Sequence, residues 1–156
     1  MNLFRRLPAG VRALATEPGE RVLTFAASGD GHLVATTLAL FLPDGTRIPY
    51  ETIDRASWDE DGLQLTTTDG AGRHISVPEP RLLPETVRER VNATIVVNKH
   101  VKLPGRGGVR LLARRRPGDD VIGWSFVFDE GLDPDDPGLR AQAEQALEGV
   151  RRSMGV

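Results

Sequence analysis

The sequence predicts a mainly β protein with helices (α+β), an antiparallel barrel or two-sheet sandwich of about seven to eight strands capped by a C-terminal helix. Three observations carry that reading. Apolar segments of strand length recur through residues 19–78 and are cut at nearly even intervals by Gly, Pro and Asp. A second series over 94–129 ends in the clearest alternation of the chain, Ile122, Trp124, Phe126 and Phe128 against Gly123, Ser125 and Val127. Beyond it Leu139, Ala143, Ala146, Leu147, Val150 and Met154 make one helical stripe, which needs a partner surface.

At 156 residues the chain can bury one adequate core, so a single domain is expected over 19–156 behind a partly disordered lead-in at 1–18. In the lead-in, Leu3, Phe4, Leu7, Val11 and Leu14 share a helical face with Arg5, Arg6 and Arg12 between them. Pro8 and Gly10 interrupt a continuous helix, and docking of the apolar residues on the barrel is expected. The first strand is Glu20 to Phe25, and Ser28-Gly29-Asp30-Gly31 turns it. Leu33 to Leu42 is apolar in both parities, which predicts one central strand covered on both faces. Pro43-Asp44-Gly45 turns the chain again, and Pro49 places the next strand at an edge, bends it or delays its start. Leu63 to Thr67 and His74 to Val77 alternate as half-wet strands around Asp69-Gly70-Ala71-Gly72.

A short helix is predicted over 82–92, with Pro84 in its first turn and Leu83, Val87 and Val91 on one face. Ile95, Val97, Val101 and Leu103 then share one parity, as do Val109, Leu111 and Ala113, with hairpin turns at 105–108 and 117–120. The last helix is predicted over 137–153, with Asp136 as N-cap, Pro137 in the first turn, and Arg151 and Arg152 at the negative end of its dipole. Its stripe is expected to close the β-shell against Trp124 and Phe126, so that Leu147→Asp would put a charge in the core.

Pro18-Gly19-Glu20 before the first strand, Thr36 and Thr37 in the second, and the corner Ile48-Pro49-Tyr50-Glu51-Thr52-Ile53 together resemble the bacterial pleckstrin-homology-like (PH-like) domains. The resemblance spans residues 17–77, and it implies a seven-stranded fold ended by a helix. It implies no activity, because one fold hosts unrelated sites. A helix between the strand groups departs from the pattern. The high Arg to Lys ratio suits a GC-rich bacterial genome, and the chain as a whole is similar to actinobacterial proteins of this size.

The absence of cysteine removes disulfides, thiolate metal sites and cysteine nucleophiles. No stretch approaches the roughly 20 apolar residues of a membrane span, and a cytoplasmic protein is expected. His32, His74 and His100 lie far apart without metal-ligand spacing, and no catalytic or phosphate-loop motif is present. Acids at 59–61 and 129–136 lack the spacing of a calcium loop and suit turns and caps. A non-enzymatic β-rich interaction module without cofactor, metal or catalytic residue is therefore expected, acting on a protein partner.

The sharper signal is a charge asymmetry. Residues 81–118 carry ten basic residues against two acids, and 119–136 carry seven acids and no base. Lys99, Lys102, Arg106, Arg110, Arg114 and Arg116 form the candidate binding patch, with Arg110, Arg114 and Arg116 expected to face outward beside Lys102. Two readings stay open: a solvated face compensated by the following acids, or an anionic-ligand patch for nucleic acid or phospholipid. The basic stretch holds no aromatic residue on which single-stranded bases could stack. The short acidic loop at 28–31 argues against a lipid headgroup there.

Overall fold

A computed structural model of the chain describes residues 7–105, 107–116 and 122–155. These form ten strands in three antiparallel sheets, with three α-helices, so the protein is mainly β with helices. The strands number more than the seven or eight expected, and they make three sheets and not one closed shell. The chain divides into two compact units, Met1–Thr94 and Ile95–Val156.

In the first unit β1 (Val22–Ser28), β2 (Gly31–Thr36), β3 (Ala39–Phe41) and β4 (Arg47–Pro49) make a four-stranded sheet in chain order. β5 (Ile53–Asp59), β6 (Gly62–Thr67) and β7 (Gly72–Ile75) make a three-stranded one. The surplus strands have identifiable causes. The run Leu33 to Leu42 is two strands, because the Thr36 hydroxyl accepts the N–H groups of Leu38 and Ala39 and folds the chain back on itself. Pro49 ends β4, and one 3-10 turn at Tyr50–Thr52 separates it from β5, with the Thr52 hydroxyl bonded to the Pro49 carbonyl. The β5–β6 turn requires glycine at 62, where φ is +125° and a Cβ would lie 2.2 Å from the Ile75 carbonyl oxygen.

Helix α1 (Ala9–Arg12) is a single turn of the lead-in, and Val11, Leu7 and Leu14 dock on Val22, Val34 and Phe41 as expected. Leu3, Phe4, Arg5 and Arg6 lie outside the described residues. Helix α2 (Leu83–Ala93) sends Leu83 and Val87, both fully buried, into the cluster formed by Leu33, Leu40, Tyr50, Ile53, Leu63 and Leu65.

The second unit is a meander of β8 (Ile95–Lys102), β9 (Gly108–Arg115) and β10 (Ile122–Phe128), in the sheet order β10-β9-β8, followed by α3 (Pro137–Met154). Asp136 caps α3 by accepting the Gly138 N–H at 3.0 Å, and Gly155 ends it in the left-handed conformation. The helix covers one sheet face: Leu139, Ala143 and Val150 pack with Leu103, Val109 and Leu111, flanked by Trp124, Phe126 and Phe128. It does so within its own unit and not as the plug of a barrel formed by all the strands. Leu147 is half-buried beside the seam, so Leu139 and Val150 are the anchors.

The anchors can be ranked by unfolding. Trp58 lies in the first unit and Trp124 in the second, so urea unfolding in a Trp58→Phe background reports on the second unit through Trp124. Leu139→Ala is expected to lower its stability by about 3 kcal/mol, and Leu147→Ala by less than about 1 kcal/mol. Equal losses would contradict the packing described.

Candidate functional site

The motif residues of the first half meet in one buried polar node. Glu20, just before β1, has a fully buried carboxylate. Its Oε2 accepts from the Thr36 hydroxyl at 2.5 Å and lies 3.4 Å from Arg47 Nη2, while Oε1 accepts the Glu17 N–H at 3.2 Å. Tyr50, 1% exposed, donates its hydroxyl to the Thr36 carbonyl at 2.7 Å. Burial pushes the Tyr50 phenol well above its ordinary pKa and keeps it a donor. Arg47 also stacks its guanidinium over Phe41, 5.6 Å from the ring centre. The Glu20 carboxylate, the Thr36 hydroxyl and the Tyr50 phenol are engaged in holding strands, while Arg47 Nε is buried without a hydrogen-bond partner.

A concavity of about 580 Å³ opens in the same unit between the β1–β2 turn, the β3–β4 loop and β7. Asp30 and Asp44 face Arg73 and His74 around it. Asp44 has its carboxyl pulled below the ordinary range chiefly by hydrogen bonds from Thr46, with Arg73 adding. The rim thus sets two carboxylates against one guanidinium and one imidazole.

The predicted basic patch is dispersed by the strand register of the second unit. Lys99 pairs with Leu111 and so stands on the face that carries α3. Lys102 and Arg110 stand on the opposite face with His100 and Asn98, since His100 pairs with Arg110 and Asn98 with Leu112. Arg114 shares that face but is only 7% exposed, a correction to its expected outward position. Arg110, on the same strand and face, is exposed, so the strand position alone does not bury Arg114. Arg116 is exposed just past the end of β9, as is Arg115 within it. Arg106 lies outside the described residues. Exposed cations on the helix-free face are thus Lys102 and Arg110, while Arg115 alternates onto the α3 face and Arg116 lies just past the strand.

That face also holds a pair that the sequence reading did not connect. His100 Nε2 lies 2.9 Å from Asp129 Oδ1, and Asp129 Oδ2 accepts the Gly108 N–H at 2.7 Å. Arg110 donates from Nη1 to Asn98 Oδ1 at 2.6 Å, which lays the guanidinium along the sheet. Glycine at 108 is what lets the imidazole close, because a Cβ there would sit 2.4 Å from His100 Cε1 and 2.7 Å from the Val101 carbonyl oxygen. Only the register brings His100 and Asp129, 29 residues apart, to one place; no local spacing announces it.

No family model, curated protein or solved structure matches the chain. The chemistry must therefore be argued from the side chains. A His–Asp pair can orient a general base, yet among the described residues no hydroxyl is bonded to His100 as a nucleophile would be. Nor do three His, Asp or Glu side chains converge as metal ligands among those residues. The pair links β8 to the segment following β10 and sets a carboxylate near Arg110. The Asp129 carboxyl is held below its ordinary range, first by the His100 hydrogen bond, then by the Gly108 N–H, with the charges of His100 and Arg110 contributing.

Two tests follow from these contacts. Thr36→Val leaves the Glu20 carboxylate and the Leu38 and Ala39 N–H groups without their hydroxyl, and is expected to cost the first unit about 1–3 kcal/mol by urea unfolding followed through Trp58. A depressed carboxylate stabilises the fold above its unfolded pKa and loses that contribution as pH falls through the folded value. The melting temperature of wild type is thus expected to exceed that of Asp129→Asn at pH 7, and the difference to shrink below about pH 4. A difference independent of pH would remove the ionic role of Asp129.

Proposed function

We propose that the protein is a non-enzymatic interaction module of the cytoplasm, with a PH-like first unit as scaffold and the helix-free face of the second unit as the docking surface for an acidic protein partner. The resemblance implies seven strands ended by a helix, and the seven strands of the first unit followed by α2 support a PH-like reading of residues 7–94. The observation that carries the docking surface is the register that sets exposed Lys102 and Arg110 as diagonal neighbours on the face without α3. Arginine laid flat on a sheet suits bidentate recognition of carboxylates. With a net charge of −2 for the chain, any such attraction must be local. The face has no aromatic platform, which favours a carboxylate-rich protein over single-stranded nucleic acid.

The probe is poly-L-glutamate, with duplex DNA and anionic vesicles alongside, titrated at low and moderate salt. Saturable binding to polyglutamate that weakens as salt rises, and that Lys102→Glu/Arg110→Glu reduces at least about tenfold, is the expected result. Equal binding by that variant refutes the surface, and a preference for DNA or vesicles replaces the protein partner with that ligand.

A further inference from the structure

Strands β10 and β8 both lie at an end of their sheet, yet only β8 carries the devices that keep an edge from pairing. Lys99 and Lys102 stand along it, and its ladder shifts register between Ile95 and Val97. Strand β10, Ile-Gly-Trp-Ser-Phe-Val-Phe, has no charge and no proline, and its ladder to β9 runs from Phe128–Val109 to Ile122–Arg115 one residue at a time. The phase of that ladder shows which groups are left over. Asp129 N donates to the Gly108 carbonyl at 2.9 Å, so the backbone of Val127 and Ser125 also turns toward β9. The N–H and C=O groups of Phe128, Phe126 and Trp124 then turn outward, where no strand of the described residues pairs with them.

We infer that this edge is a self-association surface, on which two copies of the chain pair their β10 strands antiparallel about a two-fold axis at Ser125 to form one continuous sheet. The strand is complementary to itself about that axis. Trp124 falls opposite Phe126 of the second copy, with the outward backbone groups of both in phase to exchange two hydrogen bonds. Gly123 falls opposite Val127, whose side chain is 45% exposed in the single chain. Charge matches as well. Phe128 comes beside Ile122 of the second copy, whose inner neighbour is Arg115. Asp129 and Glu130 therefore run out beside the end of the second copy's sheet at which Arg115 is exposed. The interface uses the edge opposite to β8, so it stands or falls independently of the acidic-partner reading.

Analytical ultracentrifugation of the full chain tests it, with Ser125→Lys and Ser125→Glu, each alone and mixed. The axis sets residue 125 against itself, so each variant alone brings like charges together, and the mixture brings opposite ones together. A wild-type dimer with a dissociation constant of about micromolar order is expected, weakened at least about tenfold in each variant and restored on mixing. A wild type monomeric to about millimolar concentration overturns the inference, as does a dimer unaffected by either variant. Hydrogen exchange on the wild type gives a second reading that needs no substitution. The Trp124 and Phe126 amides should gain protection with rising concentration, and concentration-independent exchange there refutes the pairing.

Discussion

The first unit depends on one buried carboxylate. Glu20 reaches Thr36 and Arg47, and through Thr36 the node extends to Tyr50, so three segments distant in sequence are tied at a single point. An ionised carboxylate without partners is costly to bury, and a partner removed leaves that cost exposed. The contact therefore works less as a source of net stability than as a register lock. It fixes where β2 stops, because the hydroxyl that satisfies Glu20 is the one that takes the Leu38 and Ala39 N–H groups. Move Thr36 by one position and the carboxylate loses its donor while the strand changes face.

That lock explains what was legible in the sequence and what was not. Pro18-Gly19-Glu20, Thr36 and the Ile48-Pro49-Tyr50 corner stood out as a set, and the structure gives the reason: Glu20, Thr36 and Tyr50 are links of one chain of hydrogen bonds. The run Leu33 to Leu42 misled because hydrophobicity alone cannot show a turn made by a side-chain hydroxyl. Both amphipathic helices were placed within a residue or two, since Pro84, Pro137 and Asp136 mark their starts and their stripes are periodic. The division at Thr94 was not visible, for Ile95 follows the helix with no linker of Gly, Pro or Ser.

The candidate surface was legible only in its charge. Counting found the cations of residues 81–118, but composition cannot say which face a residue takes. Lys99 and Lys102 are three apart in one strand and stand on opposite faces, and Arg114 is buried. The His100–Asp129 pair lay beyond any local pattern, since it depends on a hairpin and a further strand bringing residue 129 back to residue 100. Gly108 was the one available signal, a glycine inside a strand, which marks a close approach by something else.

The second unit sets a harder physical problem than the first. At about sixty residues it has three strands and one helix, and its apolar cluster lies on a single face of the sheet. Units of this size leave a large share of their surface in water, and their stability is correspondingly small. A helix can cover one face, but it cannot satisfy the edge of the sheet it lies on, and α3 packs on Trp124 and Phe126 while no strand of the described residues pairs with the outward backbone of the strand that carries them. Evolution commonly meets such an edge with lysine, proline or a bulge, and β8 shows two of the three. An uncharged, unshifted strand with aromatic residues at alternate positions is the opposite choice. The contrast between the two edges of this sheet is the ground on which the inferred pairing of β10 with a second copy rests.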